Sequence, residues 1–397
     1  MVKILVLSFR FPYPLTDGAR IRIYHLCRFL SQHHKVDLVS LNEGQLEEGA
    51  LSAVKPIFKD VMPFPFHPLA FKFNALKGLI SRDPLQVHYY YFPKIQRWLN
   101  DNWHKYQAIM CFHIRTAKYI ELCPEIGQIP RLIDLIDATS LNYQEASGKA
   151  KGIWKLVLPI ENLRALNYEL KTIRMFDKAL ITSAYDRQYL QERSSEELRK
   201  VVVIPNGVRE DLLQRPVCDI EEDTLVFLGK MSYAPNIDAV NFFAKEVFPL
   251  VRRKLPRAKF IIVGTSPSKE VLALQKYQGI KVTGYVKDAY SYLERAKLVV
   301  VPLRFGAGIQ NKVLEAMALG KAVVTTPKGV RGIPEAKEGI CVIANTPQEM
   351  SQWIIELWNN RGLRQEIGEN ARRVVKEKYR WDVIQNNFLA EVEEVVS

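Results

Sequence analysis

The segment Phe305–Gly320, FGAGIQNKVLEAMALG, follows the apolar run Leu298–Leu303 and has residue types at a spacing suited to holding a phosphate. A buried strand that ends in a loop with Gly306 and Gly308, then a helix from Gln310 or Asn311, aims free backbone N–H groups above the strand. The amino end of a helix carries about half a positive charge and favours an anion. Lys312 adds an ammonium in the first turn, and Glu315, three residues on, projects from the same face. Such a carboxylate accepts hydrogen bonds from ribose hydroxyls, so the set suits a nucleotide. The same residues also suit a buried Leu/Met helix with one surface lysine and a glutamate that merely complements the helix dipole, worth ~0.3–1 kcal/mol.

Other candidates are scattered. Gly18 ends a Pro-rich loop directly before a helix and lets backbone approach a diphosphate with no Cβ in the way, although a simple turn explains it too. His113 follows the apolar run Ala108–Phe112 at the carboxyl end of a strand, where a ligand contact and a core or surface histidine compete as explanations. Asp134 and Asp137 sit at and just beyond the end of another strand. Asp137 is the better site candidate of the two, or else it caps the segment beginning at Thr139. Lys230 ends a strand and is either a phosphate partner or a solvated lysine. The sequence contains no Asp-x-Asp pair and no CxxC pair, so no metal site is expected.

The elements that must position these residues alternate between strand and helix. The chain opens with a strand (about 3–9), a loop (11–18), an amphipathic helix (about 19–31) and a strand (36–41), a βαβ unit with parallel pairing. An irregular aromatic and basic region follows at 58–106, then strands at 108–112, 131–136, 179–182 and 201–205. Asn206-Gly207 is a turn signal, and 209–223 reads as a linker. Beyond it the alternation is regular, with strands at 224–228, 259–263, 281–283, 298–303, 322–325 and 340–343. Helices are expected at 237–254 and 288–295, and a last one at 382–396. Apolar runs without alternation indicate parallel sheets covered on both faces. The expected fold is therefore α/β, with two doubly wound Rossmann-like domains facing across a cleft. The first is expected over 1–207, completed by the helix at 381–397, and the second over 208–380. Ligands bind such sheets beyond the carboxyl ends of their strands.

With 397 residues, 48% hydrophobic and 25% charged, the chain has globular composition and suits two domains. No run of ~18–20 apolar residues predicts a membrane span, and the opening MVKILVLSF lacks a signal-peptide cleavage site. The cysteines (Cys27, Cys111, Cys123, Cys218 and Cys341) are dispersed, which fits a reduced, cytoplasmic chain. The formal net charge of +13 points to an anionic partner: nucleotide phosphates, anionic lipid or nucleic acid. Lys55, Lys59, Lys72, Lys77, Arg82, Lys94, Arg97 and Lys105 are interleaved with aromatics in 58–106 and its flank. On an exposed face they suit an anionic membrane and a lipid-linked acceptor; otherwise the aromatics are core.

Five motifs in order give the chain a resemblance that spans nearly its whole length. They are IPNGV (204–208), FLGK (227–230), FIIVG (260–264), VTGYV (282–286) and LEAMALGKAVVTT (314–326). Together they resemble the retaining glycosyltransferases of family 4, which have the GT-B fold. GIQNKVLEAMA is similar to a subset found in exopolysaccharide gene clusters. The resemblance implies transfer of a sugar from a UDP- or GDP-linked donor to a saccharide or lipid-linked acceptor, with no cofactor, no metal and no nucleic acid. The setting would be polysaccharide or glycolipid biosynthesis, in the cytoplasm or peripherally at the inner face of the plasma membrane. With the residue readings above, the expected catalytic residues are Lys312, Glu315 and His113. Donor contacts fall on Gly18, Lys230, Asn236, Tyr285, Val286, Gly306, Gly308, Gln310, Asn311, Lys312 and Glu315. Glu315 would bind the ribose, and the loop at Tyr285-Val286 would grip the base.

Two departures stand out. The family places a donor-sugar glutamate eight residues before the one at Glu315, where this chain has Ala307. It also places a second basic residue five positions after the one at Lys230, where this chain has Pro235. Lys312 is absent from the commoner pattern and is a candidate replacement for the missing diphosphate cation. Two other readings are compatible with the sequence: a nucleotide-sugar epimerase or hydrolase on the same fold, and a non-catalytic protein binding nucleotide or polyanion.

Overall fold

The computed structural model describes residues 1–148, 150, 152–194, 197–216 and 222–396. Cys218 and its neighbours in the 209–223 linker lie outside the described residues, and the stretch before them holds a short helix, Glu210–Gln214. The chain divides into two compact units, Met1–Pro205 with Ile384–Ser397, and Asn206–Val383.

The first unit is built on seven parallel strands: β1 (Lys3–Ser8), β2 (Lys35–Glu43), β3 (Val61–Phe66), β4 (Ala108–Phe112), β5 (Arg131–Ile136), β6 (Lys178–Ile181) and β7 (Val201–Val203). Their order is β3-β2-β1-β4-β5-β6-β7. Direction of growth reverses between β1 and β4, which pair in parallel with Ser8 opposite Phe112. That is where a doubly wound sheet opens a crevice at its carboxyl edge. Residues 4–7 of β1 and all of β4 are buried, as a strand covered on both faces requires.

The region 58–106 is more ordered than its sequence suggests. It holds β3 and helices at Pro68–Lys77, Leu85–Tyr89 and Pro93–Asn102. Pro63 and Pro65 mask β3 as a strand, yet it lies at the sheet edge, where a missing N–H donor is tolerated. Many of the aromatics here are core. Phe66 stacks on Phe92 with ring centroids 3.7 Å apart, and Phe71 meets both Phe92 and Tyr90 edge-on.

The second unit has six parallel strands: β8 (Glu222–Leu228), β9 (Lys259–Val263), β10 (Ile280–Val282), β11 (Ala296–Val301), β12 (Val323–Thr325) and β13 (Val342–Ile343). Their order, β10-β9-β8-β11-β12-β13, again reverses beside the unit's first strand, between β8 and β11. The helix expected over 237–254 is continuous but runs through a π-helical turn at Phe243–Val247, directly before the α-helical turn that contains Pro249. The last helix, Trp381–Val396, starts with Trp381 against Gly207, where an added Cβ would lie 2.5 Å from the indole. Farther along, Glu391 and Glu394 pair with Lys178 of β6 at 2.7 and 2.9 Å. No helix among the described residues is long and apolar enough to cross a membrane.

Candidate functional site

In the second unit the chain leaves β11 and runs through Phe305–Gln310 into the Asn311–Ala318 helix. Gly306 and Gly308 have φ of 123° and 75°, a backbone that side-chain-bearing residues rarely adopt. Arg331 donates to the Gly306 carbonyl at 2.5 Å and fixes the loop from behind. Gln310 occupies the helix N-cap without a side-chain cap bond; its amide donates instead to the Ala307 carbonyl at 3.3 Å. Asn311 accepts a bond from Asn206 at 3.0 Å. The amino end of this helix therefore lacks the side-chain cap that usually satisfies its first N–H groups.

Lys312 turns back over β8. Its ammonium lies 5.0 Å from the centre of the Phe227 ring and donates to Asn236 Oδ1 at 2.6 Å. Asn236 in turn donates to the Lys230 carbonyl at 2.9 Å, so Lys230, Asn236 and Lys312 form one chain of contacts. No carboxylate among the described residues lies within ion-pair distance of Lys312. Burial pulls its pKa down to about 8, against a smaller upward pull from Glu315. The Lys230 side chain is exposed.

Glu315, one turn along the helix, accepts a hydrogen bond from the Tyr290 hydroxyl at 3.1 Å. Burial raises its pKa, while Tyr290, Lys312 and Arg209 oppose that shift. Arg209 stacks over the Tyr290 ring at 5.5 Å and pairs with Asp211 at 2.9 Å. The loop after β10 leaves Tyr285 78% exposed and Val286 half-buried. Ala307 is buried and brings no polar side chain.

In the first unit, the β1 and β4 ends gather a different set. His113 is buried, with φ 68° and its backbone N–H donating to Asp134 O at 2.6 Å. Such a backbone costs of order 1–3 kcal/mol and collects at functional positions. Its ring packs on Phe9 at 5.1 Å, and Nδ1 is buried without a partner. Burial, then Arg115 and Arg10, hold its pKa well below the usual histidine range, so the imidazole is neutral. Arg10 and Arg115 both lie over the Phe9 ring, at 4.6 and 4.7 Å.

Gly18 does open a helix, Gly18–His33, but the Asp17 carboxylate already caps it, accepting from Arg20 N at 3.1 Å and pairing with Arg10 at 3.0 Å. Asp134 is structural. It is fully buried and pairs with Arg22 Nε at 2.5 Å, while Arg22 also donates to the Ile204 carbonyl at 2.8 Å. Asp137 does not cap the helix that follows. Its carboxylate accepts from Asn142 at 3.2 Å, and the N–H groups of Thr139 and Ser140 bond instead to buried Glu169.

The structure thus joins Lys230, Asn236, Lys312 and Glu315 with the Gly306–Asn311 loop in one unit, and places Gly18 and His113 in the other. Sequence reasoning missed Arg10, Arg115, Arg209 and Tyr290. Arg10 and Arg115 each lie within a few residues of a strand's carboxyl end, which was the available signal. Among the described residues no three His, Cys, Asp or Glu side chains cluster as a metal site needs.

Two family models divide the chain between them. "Glycosyltransferase Family 4" matches residues 16–212, and "Glycosyl transferases group 1" matches 222–360. The chain is a glycosyltransferase of the GT-B fold. Among its relatives, an uncharacterised 44.6 kDa protein in the cps region of Klebsiella pneumoniae is 24% identical over 96% of this chain and 97% of its own. The lipopolysaccharide 1,2-N-acetylglucosaminetransferase of Salmonella typhimurium is 24% identical over 77% of this chain and 83% of its own. Sucrose-phosphate synthase from Thermosynechococcus elongatus shares the fold, with a TM-score of 0.71, 16% identity and 99% of each chain covered. HepE of Anabaena in complex with UDP and glucose shares it with a TM-score of 0.66, 15% identity, and 99% and 100% covered.

Proposed function

We propose that this glycosyltransferase uses a nucleoside-diphosphate sugar and moves the sugar to a hydroxyl of a saccharide or lipid-linked saccharide, with retention and without a metal ion. The observation that carries this reading is Lys312: a desolvated ammonium that donates to a neutral amide and has no ion-pair partner among the described residues, beside an uncapped helix end at the reversal point of a parallel sheet.

In the transfer, the bond from the anomeric carbon to the diphosphate oxygen breaks with its electron pair going to the phosphate. The acceptor oxygen bonds to that carbon, and its proton passes to the leaving phosphate. The residues of this chain act on the charge so created. Lys312 and the N–H groups at the start of the Asn311–Ala318 helix receive the diphosphate, replacing the neutralisation a metal would give. Preorganised donors of this kind contribute ~3–4 kcal/mol each. Glu315, oriented by Tyr290, accepts from the ribose hydroxyls, and the Tyr285-Val286 loop borders the base. In the first unit, His113 offers a neutral imidazole nitrogen to a polar ligand at that sheet edge. Ala307 leaves the donor sugar without the glutamate that the family resemblance implies, so other groups must set sugar choice.

The UDP complex of HepE and the activity named for the Salmonella relative support a UDP-linked donor and a polysaccharide or glycolipid acceptor. A thermal-shift panel of UDP, GDP and their sugars tests the donor: a ligand at 100 times its Kd adds ~2.7 kcal/mol of stability. Stabilisation by neither nucleotide refutes the reading. Proton NMR of the product's anomeric coupling decides retention, and activity unaltered by EDTA supports metal independence.

A further inference from the structure

Two helices of the first unit carry apolar stripes that face solvent. In the Pro68–Lys77 helix and the turn after it, Leu69, Phe73, Leu76 and Ile80 recur at four, three and four residues, and all are exposed, Ile80 at 97%. At the start of the Trp154–Met175 helix, Ile153, Leu156, Ile160 and Leu163 recur at three, four and three residues, with Leu156 72% exposed. Stripes at this spacing normally turn toward the core. Here both turn away from it, and the two segments adjoin: Arg164 donates to the Leu79 carbonyl at 3.1 Å, and Glu161 accepts from Leu85 N at 2.8 Å. Trp154 and Leu79 are exposed on the same segments. Apolar surface gathered in this way marks an interaction face.

The charge around the stripes is one-sided. Lys72, Lys77, Arg82 and Lys155 are exposed on these segments. Over residues 68–84 and 152–166 the only acids are Asp83 and Glu161. Neither answers those cations, because Asp83 pairs with Lys118 at 2.8 Å and Glu161 is buried against Arg164 at 3.0 Å. A solvent-facing apolar stripe, rimmed by free cations and bearing a tryptophan, matches the chemistry of an anionic bilayer surface, where side chains enter the headgroup boundary and lysines meet lipid phosphates.

We propose that this face of the first unit docks on an anionic lipid bilayer, with the Leu156–Ile160 and Phe73–Leu76 stripes entering the interface and Lys72, Lys77 and Lys155 contacting lipid phosphate. The donor-site reading plays no part in this, since all the residues lie in the first unit and none is a candidate ligand of the diphosphate.

Flotation of the full chain with phosphatidylcholine vesicles, and with vesicles rich in phosphatidylglycerol, tests it. Binding is expected only to the anionic vesicles, weakened by added salt, with the fluorescence contributed by Trp154 (wild type minus Trp154→Phe) shifting to the blue. Leu156→Ser/Ile160→Ser and Lys72→Glu/Lys77→Glu should each lower partitioning roughly tenfold or more, with circular dichroism unchanged because every replaced side chain is exposed. Failure to float with anionic vesicles at low salt overturns the proposal, as does binding that neither double variant weakens. Self-association by light scattering that Leu156→Ser/Ile160→Ser abolishes, without vesicle binding, assigns the face to a second copy of the chain and overturns it too.

Discussion

The two units build the same kind of sheet edge and use it differently. Each has its first strand at the reversal of strand order, and each sends a helix away from that region. In the first unit the Gly18–His33 helix is capped by its own neighbour, Asp17, and the buried cation on it, Arg22, is committed to Asp134. In the second unit the Asn311–Ala318 helix has no side-chain cap, and Lys312 rests on an uncharged asparagine. A buried charge paired with its opposite holds the fold together and has little left to offer a ligand. A half-buried ammonium whose nearest partner is an amide gains most from an incoming anion, because burial has already removed part of the water that would compete. On the proposed reading, anion binding falls to the second unit, and the first keeps a neutral imidazole and two arginines over Phe9.

The largest effect should come from breaking the paired charge. Asp134→Ala leaves Arg22 buried and uncompensated, and ~3–5 kcal/mol of stability should be lost, read by urea unfolding. UDP affinity of the folded fraction should hold. A loss of affinity with stability intact would reverse the roles given to the two edges. Next is Lys312→Ala, expected to lower turnover roughly a hundredfold while urea stability stays near wild type. Turnover within a few-fold of wild type would remove Lys312 from the chemistry.

Most of the sheet was legible because short apolar runs between helices are a local signal. The runs at 108–112, 131–136 and 259–263 are strands with those bounds. β3 was not legible, because Pro63 and Pro65 disguise a strand that only an edge position permits. Within the candidate site, the loop glycines, Lys312 and Glu315 could be singled out because they lie close together in sequence. Their pairings could not, even where both residues were expected donor contacts, as Asn236 and Lys312 were. Asn236 is 76 residues from Lys312, Tyr290 is 25 from Glu315, and Arg22 is 112 from Asp134. The same limit explains the apolar stripes: periodicity gives the face of a helix but not whether that face meets core or solvent. In 58–106, Phe66, Phe71 and Phe92 turned inward while Phe73 turned outward.

Smaller effects sharpen the second edge. Glu315→Gln keeps the size and loses the charge that strengthens bonds from ribose hydroxyls; charge-assisted bonds contribute ~1.5–3 kcal/mol, so UDP should bind roughly ten- to 150-fold more weakly by calorimetry. Tyr290→Phe removes only the group that orients Glu315, at about 1 kcal/mol or roughly fivefold in Kd. An effect of Tyr290→Phe equal to that of Glu315→Gln would mean that the tyrosine itself meets the ligand.

The smallest effect separates a ligand-seeking ammonium from a structural one. Burial sets the Lys312 pKa to about 8 in the free protein, and a bound diphosphate raises it. The complex then holds more protons than the free protein above that pH, so UDP affinity falls as pH rises through 8. Between about pH 7 and 8.5 the charged fraction of a group with that pKa drops roughly fourfold, and Kd should rise by the same factor. Calorimetry in buffers of different ionisation enthalpy should show proton uptake on binding at the upper end of this range. Lys312→Ala should flatten the rise and abolish the uptake, whereas Asp134→Asn, at the paired edge of the other unit, should leave both in place.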